Sequence, residues 1–370
     1  MMMNVDAFSP DYLTASARFR KAAQSAGCRL ESFSIPVARP VGDVLTIDVA
    51  SLGRKDSSSA VVVSSGLHGV EGFFGSALQI ALLRSLAQDP SPPTGVKLIF
   101  IHALNPFGFN SLRRTDEDNV DLNRNFLLHG EQYSGAPEGY ADLERRLNLS
   151  GPPRPLDLFF AKLAYLMISM GPGPFRESLA GGQYISERGM FFGGRRPSPT
   201  RLILQENLAE WVGQAARIIH LDLHSGLGRW ATYKLIVDHP IDSPRFKWLR
   251  QQFAGDRVEP SESVNGSTYH MRGGLGSWCQ EILAGRMYDL ATAEFGTYPG
   301  PVVLWALRAE NHCHWHREPS SFRYRLRKRI LKEVFAPASS RWRRRVLDQG
   351  LSLVLRAIEV CHKTTLEQRT

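Results

Sequence analysis

Two stretches, VKLIFIHA from Val96 to Ala103 and RIIHLDL from Arg217 to Leu223, are apolar almost throughout. A strand that faces water on one side alternates apolar with polar residues, so runs like these predict strands covered on both faces. Val44 to Ala50, Ala60 to Ser64 and Asp289 to Phe295 also read as strands, and helical patterns run from about Glu71 to Ala87, from Leu156 to Met170 and from Thr200 to Ala215. This alternation predicts an α/β domain with a mixed, mostly parallel sheet sandwiched by helices. Pro and Gly cluster at Gly151 to Pro155, Gly171 to Pro174 and Gly193 to Pro199, as loop punctuation inside one domain.

Charge sets the domain boundary. The 370-residue chain carries a net +9, and residues 317–370 hold 14 Lys and Arg against 5 Asp and Glu, while the other 31 and 31 cancel. The sequence thus predicts a neutral main domain over 1–316 and a basic helical extension over 317–370, with a terminal helix from Trp342 to Val360. Its runs RYRLRKR (Arg323 to Arg329) and RWRRR (Arg341 to Arg345), interleaved with Tyr324 and Trp342, predict at most weak contact with an anionic surface. No nucleic-acid-binding motif accompanies them, so no specific nucleic-acid partner is expected.

Cys28, Cys279, Cys313 and Cys361 are scattered without a CxxC pair, so any metal must be held by His and carboxylates. Met1 to Ser9 lacks a basic segment leading into an apolar run, and Leu156 to Met170 carries Asp157 and Lys162 and is too short to span a bilayer. A cytoplasmic location is the expectation.

The chemistry gathers at strand ends. SSGLHGVEG places His68 and Glu71 three residues apart just beyond the strand Ala60 to Ser64. Catalytic zinc takes imidazole and carboxylate donors, commonly three. IIHLDLHSG supplies a third candidate, His224, at the end of another strand, with His220 inside the apolar run as a core residue and Asp222 placed to orient a ligand imidazole. Glu294, in ATAEFGTYP, is one acid in an apolar setting, as a general base with a raised pKa requires. The block NPFGFNSLRRTDEDNVDLNRNF, from Asn105 to Phe126, is dense in Asn and Arg and reads as an anion-recognising loop. The histidines of AENHCHWH, Ala309 to His316, lie on an apolar helical pattern from Val302 and are read as packing or surface residues.

HGVEG, VDLNRNF, LDLHSG and AEFG, in this order, resemble the motifs of the zinc carboxypeptidase superfamily, which includes carboxypeptidase A-like enzymes and the succinylglutamate desuccinylase and aspartoacylase deacylases. The resemblance spans roughly Ser64 to Pro299 and is nearest to an uncharacterised bacterial branch. It implies an eight-stranded sheet with one Zn2+ per chain, held by His68, Glu71 and His224. It further implies Glu294 as base and then acid, Arg114 or Arg113 polarising the scissile carbonyl, and Asn123 with Arg124 gripping a carboxylate on a peptide or small-molecule substrate. The mobile tyrosine of carboxypeptidases has Tyr269 and Tyr288 as candidates. A metallocarboxypeptidase is the leading expectation and an N-acyl amino acid deacylase the alternative, the short gap from Arg114 to Asn123 being nearer the deacylase arrangement. Gly181 to Arg196 (GGQYISERGMFFGGRR) has no counterpart and is a candidate pocket lining.

Overall fold

The sheet has eight strands: β1 Arg29–Ser34, β2 Thr46–Leu52, β3 Ser59–Ser65, β4 Val96–His102, β5 Arg217–Gly226, β6 Tyr233–Val237, β7 Val258–Pro260 and β8 Met287–Gly296. They lie in the order β1-β2-β4-β3-β5-β8-β6-β7. This computed structural model of the chain describes residues 5–36, 44–88, 95–147, 158–261 and 271–367. The central block β4-β3-β5-β8 is parallel, and antiparallel pairings join β2 to its one side and β6 to its other. The apolar runs form this block, as their lack of alternation demands.

Both faces of the block are core. Val61, Val63, Phe100, Ile219 and Leu221 meet the helix Gly72–Gln88 and the helix Ser340–Glu367 on one face. Ala60, Val62, Ile99 and Ile218 meet Leu204, Leu208 and Trp211 of the helix Pro199–Val212 on the other. Neighbours in one strand thus serve opposite layers.

The expected boundary near Arg317 does not separate two packing units. Trp342, Val346, Leu347, Val354, Ile358 and Cys361 belong to the same core cluster as Val61 and Ile219. Trp342 is fully buried between Phe8 and Phe74, and its indole N–H donates to the Gly296 carbonyl at 2.9 Å. The helical period explains the difference: apolar residues recur on one face and dock on the sheet, while Arg341, Arg344 and Arg345 occupy the other and stay exposed. Lys328 is also buried, paired with Glu310 at 2.6 Å. Among the described residues no helix is long and apolar enough to cross a membrane.

Candidate metal centre

β3, β5 and β8 run parallel, so their carboxyl ends open at one edge of the sheet, where open α/β sheets form their ligand crevices. Beyond β3 the chain turns at Gly66, whose φ of +65° is left-handed and suits glycine. His68 follows, then a short 3-10 turn, Gly69–Glu71, that leads into the helix Gly72–Gln88. A Cβ at Gly69 would stand 2.2 Å from the Gly108 carbonyl carbon, so only glycine allows this approach. The approach lets Gly69 and Val70 donate backbone N–H groups to the carbonyls of Arg114 (3.1 Å) and Arg113 (2.8 Å). In β5, alternation sets His220, Asp222 and His224 on one face, with Ile219, Leu221 and Leu223 in the core behind them.

Five side chains then form an unbroken series. Asp121 Oδ1 lies 3.2 Å from His68 Nε2, and His68 Nδ1 lies 2.9 Å from Glu71 Oε1. Glu71 Oε2 lies 3.1 Å from His224 Nδ1, and His224 Nε2 lies 2.5 Å from Asp222 Oδ2. All five are buried. One donor atom from each of His68, Glu71 and His224 lies within 4.8 Å of the others.

These residues fit a zinc ion. Three buried carboxylates surround two imidazoles, and Arg114 offers one guanidinium, 2.9 Å from Asp121 and 3.6 Å from Glu71. With neutral imidazoles the cluster is anionic, which burial penalises unless a cation compensates. Burial raises the pKa of Glu71, but the charges of His68 and His224 outweigh it and hold this carboxyl well below the usual range. Burial likewise disfavours charge on His224, yet Asp222 and Glu71 push its pKa well above the ordinary value. The cluster therefore seeks positive charge at its centre. Imidazole nitrogen and carboxylate oxygen are zinc's donors, and an outer imidazole nitrogen resting on a carboxylate is the support such ligands use.

Glu294 pairs with His224 in the β5–β8 register. It is partly buried, accepts the Leu227 N–H at 2.8 Å, and burial followed by the charge of Glu71 pushes its pKa up to about 7. Arg114 reaches the cluster, with Nη2 2.7 Å from His68 Nε2 and its guanidinium 5.4 Å from the Phe191 ring centre. Arg113 turns away: fully buried, it bonds Asn119 (2.7 Å) and Asn311 (3.0 Å) and lies 3.3 Å from Glu310. Asn123 accepts the Leu275 N–H through Oδ1 at 3.1 Å. Arg124 is buried, donates to the Asn123 carbonyl at 2.6 Å and helps hold Asp121 ionised.

Tyr288 does not come to the opening. It is buried near the start of β8, beside Ile218, and its hydroxyl bonds His220 Nδ1. Tyr269 lies outside the described residues. Met190 and Phe191, from the unmatched segment Gly181 to Arg196, line an opening together with Arg114, Thr115, Asn119 and Leu307. Among the described residues no second trio of His, Cys or acidic donors converges, and the histidines of Ala309 to His316 are not such a group. Asp121 was not singled out from sequence, although an imidazole ligand's need for an outer carboxylate marks an acid in the same loop.

A family model matches residues 8–349. The chain belongs to DUF2817, a family described as protein of unknown function. No curated protein matches this DUF2817 chain. Among solved structures it is similar to carboxypeptidase A from Helicoverpa armigera, at 14% identity and a TM-score of 0.49 over 90% of this chain and 74% of that one. It is also similar to a metallo-carboxypeptidase from Pseudomonas aeruginosa (15% identity, TM-score 0.40, 91% and 68% covered). A third similar structure is an aspartoacylase family protein from Mesorhizobium loti (15% identity, TM-score 0.37, 84% and 68% covered).

Proposed function

We propose that this chain is a zinc-dependent hydrolase that cleaves an amide bond next to a carboxylate-bearing group, as a metallocarboxypeptidase. The observation that carries the reading is the series Asp121–His68–Glu71–His224–Asp222, with Glu294 beside its ligand end. His68, Glu71 and His224 would hold the zinc, which would supply Lewis-acid chemistry at the strand ends. Glu294, ionised, takes a proton from the attacking water and returns it to the leaving amine, and a carboxyl whose pKa is pushed up to about 7 suits both roles. Arg114, anchored through Nε on Asp121, presents its guanidinium to the carbonyl oxygen as negative charge develops there. Asn123, with Oδ1 taken by Leu275, keeps its amide N–H groups for a substrate carboxylate, beside the charge of Arg124.

A second reading, N-acyl amino acid deacylase, uses the same residues and is favoured by the short sequence gap between Arg114 and Asn123. Elemental analysis of the purified chain and of His68→Ala, with hydrolysis of a panel of C-terminal dipeptides and N-acyl amino acids, tests both. About one zinc per chain, absent from the variant, with turnover of one panel class, supports the reading and chooses its branch. A metal-free chain that refuses added zinc overturns it.

A further inference from the structure

Behind the proposed ligands lies a second series of buried polar groups, of which the proposed chemistry uses Asp222 alone. Ser64 Oγ, on β3, is 2.5 Å from Asp222 Oδ1 and 2.6 Å from His220 Nε2. His220 Nδ1 meets the Tyr288 hydroxyl, and Cys279 adjoins that hydroxyl. Ser64, His220, Asp222, Tyr288 and Cys279 are all buried.

The direction of every proton here follows from one end. An ionised Asp222 only accepts, so Ser64 must spend its single O–H on Oδ1. The His220 Nε2 contact can then be a hydrogen bond only if His220 carries its proton on Nε2 and donates to the Ser64 oxygen. That leaves His220 Nδ1 as an acceptor, and the Tyr288 O–H donates to it. On its other oxygen Asp222 accepts the His224 Nε2–H, at 2.5 Å, which leaves His224 Nδ1 facing Glu71. Burial, which pushes the His220 pKa down to about 4, keeps this ring neutral as the pattern requires.

We propose that Tyr288, His220 and Ser64 form a one-way hydrogen-bond relay that fixes Asp222 and thereby the orientation of the His224 ring, with Nδ1 turned toward Glu71 and the proposed metal position. The relay crosses β8, β5 and β3, so its members are positioning residues held by the sheet itself. It rests on the zinc reading for its consequence, but its own signature is the tautomer of His220.

The test is long-range 1H–15N correlation NMR on the 15N-histidine-labelled full chain, with zinc affinity measured by competition against a chromophoric chelator. His220 is expected as the neutral Nε2–H tautomer. Ser64→Ala should weaken zinc about 10- to 100-fold, the cost typical of losing a ligand's outer partners. Tyr288→Phe should shift the His220 signals and weaken zinc by less, and Ser64→Thr, which keeps the hydroxyl, should recover affinity. A His220 Nδ1–H tautomer in the wild-type chain, or unchanged zinc affinity in Ser64→Ala, overturns the relay. If Ser64→Ala fails to fold, the wild-type tautomer and Tyr288→Phe decide the matter. A wild-type chain that binds no zinc sinks the metal reading instead, while the His220 tautomer still decides whether the relay exists.

Discussion

Glu294 and His224 face each other as register partners across β8 and β5, so the proposed base and a proposed ligand are fixed by the same pair of parallel strands. The backbone, more than any side-chain contact, sets their separation. Glu294→Gln keeps the shape and the acceptor for the Leu227 N–H while removing the proton-transfer group. Turnover of the preferred panel substrate should fall by about 10²- to 10⁴-fold, the usual worth of a general acid–base group, with zinc content unchanged. Steady-state kinetics with elemental analysis checks this, and retained turnover would remove Glu294 from the chemistry.

The adjacent arginines should fail in different ways. Arg114→Ala removes a guanidinium that reaches the cluster from a partly exposed position, so kcat should drop by about 10²-fold or more, as for loss of one oxyanion donor, with a smaller loss of stability than Arg113→Ala causes. Arg113→Ala leaves Glu310 with Lys328 as its remaining partner and empties a fully buried site. Breaking a buried pair this way costs about 3–5 kcal/mol, visible as a lower urea midpoint. Equal effects of the two variants on both readouts would refute the division of roles.

Much of this was legible in the sequence because the central strands are buried on both faces and the proposed ligands sit at their ends. Thr46–Leu52, Val96–His102 and Arg217–Gly226 lie close to the runs that announced them. β1 and β6 were not legible, since edge or near-edge strands such as Arg29–Ser34 keep exposed polar residues and carry no continuous apolar run. Tyr288 was a poor candidate for the opening for a geometric reason: six strand residues before Glu294 place it roughly 20 Å back along β8. Phe191 reaches Arg114 from a segment held by the Gln183–Phe192 bridge and by the Asp121 N–H on the Phe192 carbonyl, tertiary contacts with no local signature. The arginines after Arg317 hid the apolar stripe of their own helix, because composition averages over faces that packing separates.

His102 gives the chain an acid limit away from the metal centre. It stacks on Phe19 at 4.5 Å, bonds Ser76 through Nε2 at 2.9 Å, and burial, opposed by Asp48, pushes its pKa down to about 4. The ordinary value is 6.5, so between pH 6.5 and 4 the unfolded chain binds the extra proton and the folded one resists it. Stability from this residue is present above pH 6.5 and is lost as pH falls through that window, by at most about 3 kcal/mol. Urea unfolding of His102→Gln from pH 7 to 4.5 should show a shallower loss than wild type. Parallel curves would show that His102 does not carry the effect.

Trp342→Ala should be among the most costly single changes in the chain. The indole is fully buried against Phe8 and Phe74 and bonds the Gly296 carbonyl at the end of β8. Large-to-small core changes of this kind cost about 3–5 kcal/mol. The loss should appear in urea unfolding, and Trp342→Phe should recover part of it. A variant as stable as wild type would mean that the helix Ser340–Glu367 does not close the core.

Ser225, next to His224, donates its hydroxyl to the Phe335 carbonyl at 2.7 Å, and the Phe335 ring packs against Gly226. The strand that carries a proposed ligand, His224, is therefore braced by residues made more than a hundred positions later. During synthesis the earlier ligand loops leave the ribosome before their supporting wall exists. Assembly of this proposed centre is consequently a late event, and a ribosome stalled before residue 335 would have made His68, Glu71 and His224 without the wall that braces the last of them.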